Sequence, residues 1–344
     1  MNCESMNDEL KDCLLEAREL TKEFPAGRKI VYAVSGVSLR IREGETLGLV
    51  GESGCGKSTL GRLLIRMLQS TSGEVLFRGQ PVTGLKDSEF RQYRKDMQLV
   101  FQDPYASLNP RMTVRDLVAE PIETWRLCGR RGEVTDRVRE LLKAVGVPEE
   151  FLYRYPHQFS GGQRQRIGIA RAIAVDPAFI VCDEPVSSLD VSVQNQILNL
   201  LKELKTSRKL TYLFISHDLS VVRYLADRVC VMFLGKICEI GPAEEVYQHP
   251  RHPYTRFLMD AVPVPDPAVR KKEVRLLKGE PPSPADPPSG CRFRTRCPYA
   301  AERCAREEPE LRDAGGVQAA CHFAAEPEIG FCQNDEKGVK YQRG

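Results

Sequence analysis

The segment Gly51-Glu52-Ser53-Gly54-Cys55-Gly56-Lys57-Ser58 constrains this chain more than any other stretch. It fits G-x-x-x-x-G-K-S/T, a glycine-rich turn that aims backbone amides at phosphates while a lysine supplies fixed positive charge. The pattern carries that meaning only between a strand and a helix. Thr46-Leu47-Gly48-Leu49-Val50 is an apolar run ending directly at Gly51, and Thr59 to Leu68 keeps helical register behind it. Strand, loop and helix in this order predict an α/β fold with a parallel core sheet.

Two further apolar runs, Ala178 to Cys182 and Leu210 to Ile215, end at polar residues. They read as parallel strands buried on both faces, with chemistry at their C-terminal ends. Leu14 to Leu20 and Val31 to Ile41 read as an antiparallel layer joined by the turn Pro25-Ala26-Gly27. Between Asp103 and Phe159 the apolar spacing becomes three and four, over Val114 to Trp125 and Val134 to Val145, which predicts a helical insertion at about 103–165. After Gly241 the composition shifts, and a proline-rich stretch, 263–288, surrounds the charged segment Lys271 to Lys278. The expected organisation is a nucleotide-binding domain over 14–240, a small appended unit over 241–325, and a frayed polar tail over 326–344.

With 42% hydrophobic and 28% charged residues in 344, the chain can bury a large core. A net charge of +3 on 50 basic and 47 acidic side chains gives little support to a broad nucleic-acid surface. No apolar run reaches 18 residues, and the polar start Met1 to Asp12 lacks a secretory core, so the expected place is the cytosol unless a partner holds the chain at a membrane. Of twelve cysteines, Cys55, Cys182 and Cys230 sit in the phosphate loop or in apolar strands, which argues against a disulfide scaffold. Cys291, Cys297, Cys304 and Cys321 fall within one short stretch and need their own explanation.

The loop residues Gly51, Ser53, Gly54, Cys55 and Gly56 are candidates to wrap the β-phosphate of ATP at a helix N-terminus, with Lys57 on the β- and γ-phosphates, Ser58 on Mg²⁺ and Thr59 beside it. Asp183, ending an apolar strand, is placed to hold Mg²⁺, and Glu184 to polarise the attacking water. His217 is a candidate γ-phosphate contact. Read alone, the acidic pair is a solvated turn and the histidine structural; the phosphate loop changes both readings. Ser160-Gly161-Gly162-Gln163 precedes a helix over Arg164 to Ala174, with Ser160 as its cap and two glycines leaving its amides open, a second anion site.

Taken together these segments resemble the nucleotide-binding subunits of ATP-binding cassette (ABC) transporters over about residues 14–240. The resemblance implies that Ser160 to Gln163 closes on the γ-phosphate held by an opposite protomer. It implies that Gln102 senses Mg²⁺, that the helical insertion contacts membrane subunits, and that Ser187-Ser188-Leu189-Asp190 crosses the dimer interface beside Glu184. Phe24 is the first choice for stacking on adenine and Tyr32 the second, although either ring is equally readable as core. Phe159 stands where the family usually has Leu, and Ser188 where Ala is frequent; neither removes a catalytic group.

Val100 to Pro110 (VFQDPYASLNP) and His252-Pro253-Tyr254-Thr255 resemble the di- and oligopeptide (and nickel) importer branch. That branch pairs two similar but distinct ATPase subunits beneath two membrane permeases fed by a binding protein, at the cytoplasmic face of the bacterial membrane. The resemblance implies peptide as cargo, with nickel or another small solute as the alternative. Gaps of five, six and sixteen residues between the four late cysteines suit zinc poorly. Some members of the branch are similar in carrying a 4Fe–4S cluster on four C-terminal cysteines, the preferred reading over zinc or free thiols. A solvated basic face is the simpler reading of Arg292, Arg294, Arg296, Arg303 and Arg306. Two other classes remain open: a soluble ABC ATPase acting on nucleic acid or ribosomes, and a metal or redox module whose ATPase is secondary.

Overall fold

A computed structural model describes residues 12–261 and 279–324. The segment Lys271 to Lys278 and the tail 326–344 lie outside the described residues. The twelve described strands are β1 (Cys13–Ala26), β2 (Lys29–Arg42), β3 (Thr46–Val50), β4 (Ser72–Phe77), β5 (Gln80–Pro81), β6 (Met97–Val100), β7 (Phe179–Asp183), β8 (Thr211–Ser216), β9 (Arg228–Phe233), β10 (Lys236–Pro242), β11 (Arg312–Asp313) and β12 (Gln318–Ala319). The described helices are α1 (Lys57–Leu64), α2 (Asp87–Phe90), α3 (Val114–Thr124), α4 (Arg131–Ala144), α5 (Gly161–Ile173), α6 (Val191–Arg208), α7 (Leu219–Leu225), α8 (Ala243–Gln248), α9 (Pro253–Asp260) and α10 (Glu302–Arg306).

The central sheet runs β11-β12-β10-β9-β3-β8-β7-β6, and β9, β3, β8, β7 and β6 are mutually parallel. Its inner strands are apolar at successive positions because both faces are covered. Along β7, Phe179 and Val181 enter one core with Leu213, Ile215 and α1, while Ile180 and Cys182 enter the other with Tyr212, Phe214 and the helices α3 to α7. The first core also takes the inner face of a four-stranded antiparallel sheet, β2-β1-β4-β5. The strands read from sequence as Leu14 to Leu20 and Val31 to Ile41 extend further, to Ala26 and from Lys29, because they form one long hairpin.

The insertion is helical as its spacing predicts. Thr113 starts α3 by accepting a hydrogen bond from the Asp116 amide, and α4 turns Val134, Val138, Leu141 and Leu142 inward. The residues after Gly241 also pair with the central sheet. Antiparallel β10 carries β12 on its outer edge through Glu239↔Ala319 and Ile240↔Gln318, so the late residues extend the central sheet itself. Backbone pairing decides this, and two-residue strands leave no hydropathy signal. Among the described residues no helix is long and apolar enough to cross a membrane.

Candidate active site

Backbone crowding explains why the loop after β3 needs glycine. A Cβ on Gly51 would sit 2.1 Å from the Met232 carbonyl oxygen, and one on Gly56, at φ +105°, 2.1 Å from that of Ala33. The loop is wedged between β9 and β2, with Ser53 and Gly54 exposed at its tip and Cys55 buried beneath. Gly56 caps α1 without a side-chain bond, and the first turn carries no acidic residue, so its amides are open to an anion. Lys57, buried, donates from Nζ to the carbonyls of Gly51 (2.8 Å) and Glu52 (3.0 Å). Thr59 follows Ser58 on α1, half-buried.

Across the loop, Ser58 Oγ donates to Asp183 Oδ1 at 2.6 Å, and Arg62 Nη2 lies 3.7 Å from the other carboxylate oxygen. Burial pushes the Asp183 carboxyl above its ordinary value, opposed by the Ser58 hydroxyl. A hydroxyl and a carboxylate are both hard oxygen donors, which fits Mg²⁺. Glu184 adopts a left-handed backbone, φ +45°, unusual for glutamate, and its amide donates to Ile215 O at 3.1 Å. Its carboxylate accepts from Gln102 Nε2 at 3.0 Å and lies 3.4 Å from His217 Nδ1. Gln102, Glu184 and His217 follow β6, β7 and β8, so three neighbouring parallel strands deliver them to one point at the sheet's C-terminal edge.

The head of α5 closes its own cap. Ser160 accepts from the Gln163 amide at 3.4 Å while Gln163 Oε1 accepts from the Ser160 amide at 3.0 Å, a reciprocal cap at the head of α5. A Cβ on Gly162 would lie 2.4 Å from Val193 Cγ1, so this glycine also makes room for α6. Asp190 is the cap residue of α6, without a side-chain bond of its own. Phe159 fills the core edge-on to Phe151, with centroids 5.5 Å apart. Among the described residues no hydrogen bond or ion pair joins Ser160 to Gln163 with Gly51 to Ser58.

Phe24 lies on β1 opposite Val31, half-buried, with Lys22 Nζ 5.0 Å over its ring. Ala33, whose carbonyl meets Gly56, is two residues along β2 from Val31. Tyr32, the second choice, donates its amide to Pro284 O at 3.0 Å, so the C-terminal unit reaches this edge too.

Cys291, Cys297, Cys304 and Cys321 line one narrow pocket together with His252, Phe293 and Phe323. Burial first, then the neighbouring thiols, push Cys297 up to about 12 and Cys321 to about 11. The backbone beside Phe293, Tyr299 and Phe323 opposes the rise at Cys291, Cys297 and Cys321. Yet among the described residues no group of three or more His, Cys, Asp or Glu is arranged to hold a metal ion. The four thiols nonetheless share that one pocket. The reading of the arginines as a solvated basic face is corrected. Arg303 and Arg306 do form exposed pairs with Glu307 and Glu302, but Arg292 bonds the Leu234 carbonyl and Arg296 is 7% exposed, paired with Glu52.

Sequence reasoning missed Glu52, Tyr254 and Arg296 as neighbours of the phosphate loop. The Glu52 amide donates to Tyr254 Oη at 2.8 Å, and Arg296 Nη1 reaches both Glu52 oxygens, at 3.0 and 2.9 Å. The one available signal was the phrase His252-Pro253-Tyr254-Thr255, which says nothing of where its tyrosine goes.

The ABC transporter family profile matches residues 34–187, and that of the oligopeptide/dipeptide transporter C-terminal region matches 238–304. The chain is 52% identical to the oligopeptide transport ATP-binding protein OppF of Salmonella typhimurium, over 85% of this chain and 88% of that protein. It is 51% identical to the oligopeptide transport ATP-binding protein AppF of Bacillus subtilis, over 91% and 98%. Among solved structures it superposes on the ATP-binding cassette MJ0796 in a dimeric post-hydrolysis state bound to ADP and Pi, with TM-score 0.62, 33% identity, and coverage of 67% of this chain and 98% of that one. Phosphate loop, strand-end carboxylates, capped second helix and these relatives agree: the chain belongs to the ATP-binding subunits of ABC transporters, in the oligopeptide/dipeptide branch.

Proposed function

We infer that this chain is an ATPase subunit that energises import of di- or oligopeptides. The observation that carries the reading is the convergence of Gln102, Glu184 and His217 on one oxygen, beside the Ser58–Asp183 pair and the open N-terminus of α1. The open amides of α1 and the loop bind the β-phosphate, and Lys57 leaves its two carbonyls for the β- and γ-phosphates. Ser58, Asp183 and Gln102 would hold Mg²⁺, which neutralises charge on the phosphate oxygens. Glu184, held by Gln102, orients water and takes its proton as the γ-phosphoryl departs; His217 lies beside the same carboxylate and donates to the phosphate. Phe24 stacks on adenine.

Because Ser160 to Gln163 makes no bond to its own loop, its capped helix end is free to meet the γ-phosphate of a second, similar subunit, with Asp190 at the seam. The dimeric state of the MJ0796 cassette supports this arrangement. We propose a heterodimer beneath two permeases, at the cytoplasmic face of a bacterial membrane, with the helical insertion as the docking element. Exposed Tyr105 and Tyr153, 67% and 69% accessible, offer aromatic anchors there. The names of OppF and AppF support peptide cargo. For the four cysteines we propose a 4Fe–4S cluster, supported by four thiols on one pocket, the ligand set such clusters use. Anaerobic purification yielding iron and thiolate-to-iron absorbance supports it; a colourless, iron-free protein removes it.

The decisive experiment is reconstitution with permeases and binding protein. Peptide-loaded binding protein should stimulate ATPase activity and Glu184→Gln should abolish it. Stimulation by a non-peptide ligand alone would transfer the cargo assignment elsewhere.

A further inference from the structure

Every backbone and side-chain polar group of Glu52, in the middle of the phosphate loop, is engaged. Its carbonyl accepts from Lys57 Nζ, its amide donates to Tyr254 Oη, and both carboxylate oxygens accept from Arg296 Nη1. Two of these three partners belong to the residues after β10, and Arg296 is separated from Glu52 by 244 positions. The side chains of both partners are buried. Tyr254 is fully buried and packs between Phe233, at 4.7 Å, and Phe293, at 5.4 Å. Arg296 precedes Cys297, and its Nε is buried without a hydrogen-bond partner. Such a guanidinium is fixed for the geometry of its one carboxylate, and losing that carboxylate would leave a buried charge unpaired.

Glu52 needs an outside hold. The loop carries glycines at 51, 54 and 56, all at positive φ, so its own backbone resists other shapes weakly. The Glu52 carbonyl is also one of two rests of the Lys57 ammonium, so displacing Glu52 displaces the lysine that meets the nucleotide.

We propose that Arg296 and Tyr254 are positioning residues of the ATP site, through which the C-terminal unit holds the phosphate loop in its binding shape. This rests on the ATPase reading above. The role is specific to this pair of contacts: Arg303, in the same unit, pairs on the surface with Glu307.

The test is equilibrium titration of ATP onto the purified full-length chain, together with thermal unfolding in the absence of nucleotide. Arg296→Met and Glu52→Gln should each weaken ATP binding about tenfold, the scale of one charge-assisted hydrogen bond. The double variant should be no worse than either alone, because both remove one coupling. Arg296→Lys should recover part of the loss, Tyr254→Phe should weaken binding in the same direction, and Arg303→Met should leave it unchanged. If Arg296→Met fails to fold, Arg296→Lys and Tyr254→Phe decide. ATP affinity within twofold of the parent in these variants, or losses confined to the unfolding midpoint, overturns the proposal. Failure of the parent chain itself to bind ATP would instead sink the ATPase reading.

Discussion

Gln102 Nε2 donates to Glu184 Oε2 at 3.0 Å, joining the start of the helical insertion to the carboxylate at the end of β7. This bond links two functions. In the function proposed above, movement of the insertion against a docked partner would shift Gln102, and with it the carboxylate proposed to take a proton from water. His217 Nδ1, 3.4 Å from the same oxygen, completes the constraint from the next strand. The strained backbone of Glu184 is consistent with a residue held by its surroundings rather than by its own preference.

Glu184→Gln keeps the hydrogen-bonding shape but removes the proton acceptor. ATP should still bind, turnover should fall by about a hundredfold or more, and size-exclusion chromatography with ATP should show an accumulated dimer. Normal turnover in this variant would remove Glu184 from its role.

Lys57→Ala deletes an ammonium that now rests on two loop carbonyls. ATP affinity should fall about a hundredfold, the scale of two charge-assisted hydrogen bonds. Fluorescence titration measures it, and an unchanged dissociation constant would mean that phosphate is bound elsewhere.

Gly162→Ala introduces a methyl group 2.4 Å from Val193 Cγ1. The overpacking should cost about 1–3 kcal/mol of stability and weaken ATP-driven dimerisation, since the head of α5 must tilt. Val193→Ala removes the obstructing methyls, so the double variant should recover both. Failure of that rescue, read by urea unfolding, would mean the glycine is required for another reason.

Glu239 and His252 predict the pH profile of the C-terminal unit. Glu239, fully buried, accepts from the amides of Arg251 and His252, and burial raises its carboxyl from 4.5 to about 7. A raised carboxyl binds its proton more tightly folded than unfolded, so its contribution is present below pH 4.5 and is lost as pH rises to about 7. His252, buried and lowered from 6.5 to about 3, has the opposite sign: its contribution is present above pH 6.5 and is lost as pH falls toward 3. The two slopes oppose each other between. Relative to the parent, Glu239→Gln should gain about 2 kcal/mol between pH 5 and pH 8, measured as urea midpoints. A parallel pair of pH profiles would show that Glu239 titrates normally.

The eight residues from Gly51 to Ser58 were legible because phosphate binding by backbone amides is a local device, written in contiguous residues between one strand and one helix. The same holds for Ser160 to Gln163, whose cap is closed within four positions. Asp183 and Glu184 were legible only as an acidic pair after an apolar run, and their meaning depended on the loop 126 positions earlier.

Tertiary structure alone decided that β6, β7 and β8 are neighbours, and so that Gln102 and His217 meet at one oxygen of Glu184. It alone carried the late residues onto the core sheet and Arg296 onto Glu52. Hydropathy tells a residue whether to be buried, not against which distant partner; strand order and edge pairing set that, and neither has a local signature in the chain. What the sequence by itself determined is a phosphate-binding chemistry, and what folding added is the set of long-range contacts that aim it.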